Sequence, residues 1–506
     1  MFDLSSEYYY PTPYAASPLL PLILLAMAGQ KHSPDTTTDI SEEYDYIVVG
    51  AGSAGSVVAS RLSEKGCVTV LLLEAGKSPP QLTDLPVINR YFTKTDLDWN
   101  FQTVAQENAG MGLINKTFTL SAGKAIGGSS IINGLQSARG NRKDYDNWAA
   151  QGATGWSYEE VLPYFKKLEN NTDPEFVRNG YHGINGPVTM SRPKYDSELK
   201  IAVAKAAKQM GYDFTDSNGP QQKGFYDLQA TMRNGQRCSA AKAYLVPNEN
   251  KENLDIVKNA FVTKIIIEDR QARGVEVDLN GISRKVTARR EVILSAGTIN
   301  SAKLLMLSGI GPKEELQKHK YHKAIYEPYK EKPFYWCLCQ ILHPKGRGYV
   351  ALRSSDPYDS PIIDPKYFSH PDDIKIVVAG MKKCKEIGKS EPLVEIGSKL
   401  FSTVYPGCEN TVGDDDKNFR CMARSILITS NHQVGTVKMG DPKDPSTVLD
   451  PQLRVKTIRN LRVVDASVMP NSLSGNTNVP TMMIGEKASD MIKESIHCNS
   501  DNELNA

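Results

Sequence analysis

Apolar positions along this chain follow two periods, and the switch between them marks the first element boundaries. In "YDYIVVGAGSAGSVVASRLSEKGCVTVLLLEAG", residues 44–76, the β-branched and aromatic run at 46–49 predicts a buried strand. "SVVASRLSEKG" then takes helical spacing and stops at Gly66. "VTVLLL", residues 68–73, predicts a second buried strand, and Glu74 ends it.

The same reading carries along the chain. "GKAIGGSSIINGL", 123–135, puts glycines and serines before an apolar run and predicts another loop-to-helix turn. "RGNRKDYDNWAAQG", 139–152, reads as a polar, partly aromatic connector. Residues 224–247 alternate and then turn helical, and 254–269 and 272–311 are rich in strand and turn signals. Within the latter, "EVILSAG" is a strand entering a Gly-bearing turn, and "SAKLLMLSG" is a helix that Gly309 ends. Beyond 312 the pattern weakens. It gives an apolar strand in "FYWCLCQIL" (334–342), proline-punctuated loop over 355–373 and an amphipathic helix over 374–388. "HQVGTVKMG", 432–440, sets a histidine before a strand-like run, and "LRVVDASVMP", 461–470, is a strand ending in Asp465. "GNTNVPTMMIGE", 475–486, opens a helix expected from about 479 to 492, with Asn478 as its N-cap and Pro480 in its first turn.

Length and charge narrow the function classes. A chain of 506 residues exceeds one compact core and predicts two domains. A net charge of +2 gives no footprint for nucleic acid or an acidic membrane surface. No apolar run reaches the length of a bilayer span. "SPLLPLILLAMAG", 17–29, has the length and small-residue end of a secretory signal, although no Lys or Arg precedes it. A secreted protein is the expectation; a disordered leader, which 29–43 resembles in composition, is the alternative. Eight cysteines are too few for a disulfide scaffold, but Cys408 and Cys421 could close a local loop. Cys337 and Cys339 have no partner pair at zinc spacing, so no metal site is expected. Asn115 and Asn170 head N-x-T sequons, usable if the chain is exported.

Gly50, Gly52 and Gly55 fit G-x-G-x-x-G between strand and helix, where glycines allow a tight turn and close approach of backbone to a pyrophosphate. The free N–H groups and dipole of the helix N-terminus favour the phosphates. Glu74, 19 residues beyond Gly55, stands where a carboxylate accepts hydrogen bonds from an adenosine ribose. The second glycine cluster would then close over an extended cofactor.

These segments, with "GW", "VLPYFKKLE", "SAGTINSAKLLMLSGIGP", "NHQVGTVKMG" and "LRVVDASVMPNSLSGNTNVPTMMIGEKA", resemble the glucose–methanol–choline (GMC) flavin oxidoreductases, most of all their insect glucose dehydrogenase branch. The resemblance runs from about 44 to 312 and from 343 to 487. It implies an α/β fold: a Rossmann-like FAD-binding domain assembled from discontinuous segments, with a sheet-based substrate domain over the flavin. It implies FAD rather than NAD. By position, Gly50, Gly52, Gly55 and Glu74 would hold the ADP half, and Gly127, Gly128, Ser129 and Asn133 would line the flavin end. Val262 would meet the adenine through its backbone, and Asp465 would lie near the pyrophosphate and ribityl chain. His432 matches the family's catalytic base, and Asn478 would share the substrate hydroxyl with it. The implied reaction is oxidation of an alcohol or sugar CH–OH group by hydride transfer to the flavin, with a quinone-type acceptor favoured over oxygen.

The chain departs from the family in three places. Leu120, Ser121 and Ala122 replace an aromatic-Pro-Arg run, which removes a cation from the cofactor's surroundings. Asn478 stands where close insect relatives have a second histidine. After "SGIGP" a large block of substrate-domain sequence is absent, as a splice variant, a gene-model error or a real deletion would leave it. The expected organisation is therefore a leader over 1–43, an N-terminal region over 44–312, a divergent junction over 313–342, a C-terminal region over 343–487 and a tail over 488–506. The absent block leaves two rivals to an active dehydrogenase: a catalytically impaired flavoprotein, and a secreted binding protein that has lost FAD.

Overall fold

One seven-stranded sheet organises the chain. In the computed structural model, which describes residues 29–309, 335–400, 404–405 and 407–498, the strands are β1 (Glu43–Val49), β2 (Val70–Leu73), β3 (Leu254–Val257), β4 (Ala260–Glu268), β5 (Gln271–Leu279), β6 (Ile282–Leu294) and, after a short ribbon, β9 (Leu461–Val463). β3, β2, β1, β6 and β9 lie side by side and parallel. β4 and β5 extend the sheet antiparallel from the first half of β6. Parallel strands are covered on both faces, which accounts for the unbroken apolar runs: all four residues of β2 are buried. Because the five strands share a direction, their carboxyl ends at Val49, Leu73, Val257, Leu294 and Val463 open on one edge, where ligands of such sheets bind.

Helices position that edge. α1 (Ser53–Leu62) follows β1, and α4 (Gly297–Leu307) follows β6. Between them in the chain lie α2 (Arg142–Ala150) and α3 (Tyr158–Leu168). α7 (Asn478–Lys493) packs on α1 closely enough that a Cβ on Gly485 would sit 3.1 Å from Ala54 O. Arg61 pairs with the fully buried Glu486 at 2.8 Å, which also accepts from the Tyr244 hydroxyl. The connector expected over 139–152 contains α2, because Asn141 and Asp144 form a capping box and Tyr145 and Trp148 are buried.

A smaller apolar cluster covers the edge. It joins Phe101, Phe118 and Leu120 to Ile363, Phe368, Ile374, Val377, Val378 and Ala423, and touches the sheet domain through Ile299. Its elements are the ribbon of β7 (Tyr349–Ala351) with β8 (Ile362–Asp364), the helices α5 (Pro371–Gly388) and α6 (Asp415–Ser425), and a ribbon of Phe101–Gln102 with Thr119–Leu120. Among the described residues the substrate side thus has two-residue and three-residue ribbons and helices where a sheet is expected. The expected strand over 334–342 is also absent: residues 335–341 form no ladder, and Leu338 and Leu342 are exposed.

Residues 29–43 are tied down, against the disordered leader their composition allows. Thr37 exchanges hydrogen bonds with Ile256 of β3, at 2.8 and 3.1 Å, and Lys31 pairs with Glu249. The leader's apolar run at 17–29 lies almost wholly outside the described residues. Cys408–Cys421 is bonded, and so are Cys67–Cys498 and Cys337–Cys384. No group of metal-binding side chains occurs among the described residues, and none of their helices is long and apolar enough to cross a membrane. Of the sequons, Asn115 lies in a turn at φ 66°, whereas Asn170 is in a paired strand.

Candidate active site

A cavity of 440 Å³ runs along the carboxyl edge of the sheet. Its near wall is the turn after β1. Gly50 takes φ +100°, and a Cβ there would stand 2.5 Å from Ser295 O; a Cβ on Gly55 would stand 1.9 Å from Gly50 O. Gly52 has nothing within 3.8 Å of its Cβ position and faces the cavity. The second glycine loop backs onto the first. Gly127 N–H donates to Ala51 O at 2.8 Å, and a Cβ on Gly128 would meet Gly52 Cα at 2.6 Å. Ser129 Oγ accepts from Gly123 N–H at 3.1 Å and lines the cavity with Asn133. The helix expected after this loop is a single 3₁₀ turn, Gly128–Ile131. Asn133 Oδ1 captures Leu135 N–H at 3.0 Å, and Leu135 takes φ 66°, so the helix cannot propagate.

Glu74 lies at the end of β2, buried, accepting from Ala51 N–H at 2.9 Å and Gly76 N–H at 2.8 Å. Burial pushes its carboxyl up to about 7 against those two bonds. Ala260 N–H donates to Glu74 O at 2.8 Å, which lays the start of β4 beside Glu74 and brings Val262 into the same wall. Phe261, next to it, stacks on Tyr358 at 5.0 Å.

Asp465 falls two residues beyond β9, as the cap of a 3₁₀ turn. It lines the cavity, but both carboxylate oxygens are occupied by protein. One accepts from Gly297 N–H (2.9 Å) and Ser301 O–H (2.6 Å), the other from Ser467 N–H (2.8 Å) and Ser467 O–H. Burial raises its pKa in spite of these bonds. Asp465 therefore joins β9 to the start of α4.

The far wall is made of loops. His432 is in irregular chain, not beside the expected strand, because the 428–436 segment bonds outward to its neighbours. Thr298 O–H donates to Gln433 O at 2.8 Å and Thr436 O–H donates to Thr298 O, fixing the loop to the start of α4. Ser121 N–H donates to Asn431 Oδ1 at 3.1 Å, which ties this loop to the 120–122 stretch. Burial lowers the His432 pKa, which keeps the imidazole neutral at neutral pH.

Asn478 lines the cavity with His432, but the side chain bonded to the imidazole is that of Asn476. Asn476 Nδ2 donates to His432 Nε2 at 3.1 Å, while Asn478 Oδ1 accepts from the Ser53 hydroxyl at 2.6 Å. The reason is local. Asn478 is the first residue of α7, with Thr477 in the cap position, and its side chain turns to α1; Asn476 lies on the bend before the helix. That bend is held by Asp144, which accepts from Ser474 N–H at 2.8 Å. Asn478 lines the same cavity. Asn476 was open to discovery in "GNTN", where spacing alone does not choose between two asparagines.

Three helix N-termini, those of α1, α4 and α7, end at the cavity, and none carries an acid in its first turn. Free N–H groups, an acceptor at Glu74 and an open face at Gly52 fit a dinucleotide with an anionic middle. FAD fits this donor set.

Comparisons with known proteins agree with that geometry. Two family models, both described as GMC oxidoreductase, match residues 44–325 and 344–485. A glucose dehydrogenase (FAD, quinone) of Drosophila pseudoobscura pseudoobscura is 35% identical over 544 aligned positions, covering 90% of this chain and 87% of the relative. An oxygen-dependent choline dehydrogenase of Brucella suis biovar 1 (strain 1330) is 33% identical, covering 89% and 95%. Among solved structures, pyridoxine 4-oxidase from "Mesorbium loti" superposes with a TM-score of 0.77 at 27% identity, covering 90% of this chain and 100% of that one. The chain belongs to the GMC oxidoreductase family, whose members bind FAD and act on CH–OH donors.

Proposed function

We propose that this chain is a secreted FAD-dependent dehydrogenase that oxidises an alcohol or sugar, with His432 as the base. The observation that carries the reading is His432 Nε2 at the cavity wall, accepting from Asn476 Nδ2 at 3.1 Å. An Nε2 that accepts this bond is unprotonated, and its single lone pair becomes free for the substrate's hydroxyl proton when that hydroxyl takes the place of Asn476. Asn476 orients the ring until substrate arrives, and an amide has no useful basicity of its own, so proton removal falls on His432. Asn478 Nδ2 has no acceptor among the described residues and can donate into the cavity. When bound, FAD supplies the two-electron acceptor.

Gly50, Gly52 and Gly55 would hold the diphosphate against α1, Glu74 the ribose, and Gly127, Gly128, Ser129 and Asn133 the flavin end. The Drosophila relative's printed name supports a quinone acceptor and a sugar substrate. Three disulfides among the described cysteines support export, since such bonds persist in oxidising compartments. The Drosophila alignment runs over 544 positions yet covers nine-tenths of a 506-residue chain, so the relative carries residues with no counterpart here. We assign that shortfall to the substrate side, after residue 312, where the family pattern breaks. The test is an anaerobic titration of purified holoprotein with a panel of sugars and primary alcohols. Bleaching of the flavin absorbance by at least one of them is expected. An oxidised spectrum across the whole panel contradicts the reading and favours the impaired flavoprotein.

A further inference from the structure

Behind the second glycine loop lies a buried cluster of charge. Asp84, Arg237 and Lys242 are all buried. Lys242 Nζ pairs with Asp84 at 2.8 Å and donates to Gln236 Oε1 at 2.9 Å, so these two charges cancel. Arg237 has no ion pair among the described residues. Its Nε donates to Thr83 O at 2.9 Å, and its Nη1 to Ser130 O at 3.1 Å and Asn133 Oδ1 at 2.7 Å. Its Nη2 is buried without a partner. Burial lowers its pKa to about 10, which still leaves it charged at neutral pH. The cluster therefore holds one uncompensated positive charge, an arrangement that is costly until an anion completes it.

Asn133 connects this charge to the cavity. Its Oδ1 accepts from both Arg237 and Leu135 N–H, and a guanidinium can only donate. The amide cannot flip without setting donor against donor, so the oxygen stays toward the protein. Nδ2, which has no acceptor among the described residues, is left for the cavity that Asn133 lines.

We propose that Arg237 is a positioning residue for the flavin: it fixes Asn133 with its amide N–H toward the ring, and its unpaired charge favours the negative charge the ring gains on reduction. The inference rests on the FAD reading of the cavity. A competing role for the same charge is to hold the diphosphate, which would change cofactor affinity and leave the potential alone.

Potentiometric titration of holoprotein separates the two, with FAD affinity measured in parallel. Arg237→Gln is expected to lower the flavin midpoint potential by about 30 mV or more, a tenfold shift in a two-electron equilibrium. Arg237→Lys, which keeps the charge, is expected to retain most of the wild-type value. Asn133→Asp neutralises Arg237 in place and serves if Arg237→Gln does not fold; it is expected to lower the potential in the same direction. Unmoved potentials in FAD-loaded variants overturn the proposal, whether or not FAD binding weakens. Wild-type protein that takes up no FAD overturns the cofactor reading and this proposal with it.

Discussion

The two ends of the cavity are built by different means. At the nucleotide end, backbone does the work: parallel strands stop in register, and glycines at Gly50, Gly55 and Gly128 let loops touch where no Cβ fits. At the substrate end, two irregular loops carry His432 and Asn476, and side chains such as Thr298, Asp144 and Ser121's partner Asn431 hold them. The first kind of construction tolerates no added atom. The second tolerates change, because each loop has several anchors and each anchor contributes a modest share. A nucleotide grip can thus stay constant while the substrate wall is rebuilt.

The largest expected effect breaks the first end. In Gly55→Ala the new methyl would lie 1.9 Å from Gly50 O, a backbone atom that cannot move aside. The variant should purify without stoichiometric FAD, read as loss of flavin absorbance after gel filtration. Retention of full FAD would mean the turn is looser than described.

Asp465→Asn tests the joint between the ends. Each carboxylate oxygen faces a backbone N–H, of Gly297 on one side and Ser467 on the other, so whichever becomes an amide nitrogen opposes a donor. Leaving such a group unpaired costs roughly 1–3 kcal/mol. Chemical denaturation of apo and holo protein should show that loss in both; a loss in the holo form alone would make Asp465 a cofactor ligand instead of a brace.

Asn476→Ala is a smaller perturbation. It should leave FAD binding intact and slow substrate oxidation by about tenfold, the size of one positioning hydrogen bond. If Asn478→Ala is the more damaging of the two, the second polar partner is Asn478, as sequence position alone implies. The gentlest probe is pH. The His432 pKa is lowered by burial, so the unprotonated base persists into mildly acidic solution. The acid limb of kcat/KM should fall below the ordinary histidine value of about 6.5. A limb above that value would show that the protonated form is the stabilised one.

The contrast between the ends also decided what could be read from sequence. The strand, glycine turn and acid of 44–76 were legible because each residue type answers a backbone requirement at a fixed spacing. Glu74 lies where that spacing puts it. The loop end was legible only by resemblance. His432 was proposed that way, while Asn476, which bonds its ring, was not, because a bend before α7 directs Asn476 to the imidazole and Asn478 turns to Ser53. Nothing in local pattern encodes such a choice. The connector that became α2 was missed for another reason. Its mean polarity hides Tyr145 and Trp148, which are buried on a face three residues apart, and its capping box begins at Asn141. Arg237 gave no signal at all, since a buried cation in "RNGQRCSAAKA" looks like any surface arginine until its surroundings are known.

Whether one unprotonated imidazole removes the substrate's proton is decided by anaerobic stopped-flow reduction of FAD in wild type and His432→Ala. Both proteins should bind FAD alike, and the variant should be reduced more slowly by roughly 10²–10⁴-fold, the usual worth of a positioned base. Equal reduction rates with FAD bound in both would show that His432 is not the base and assign that role to another group on the cavity wall.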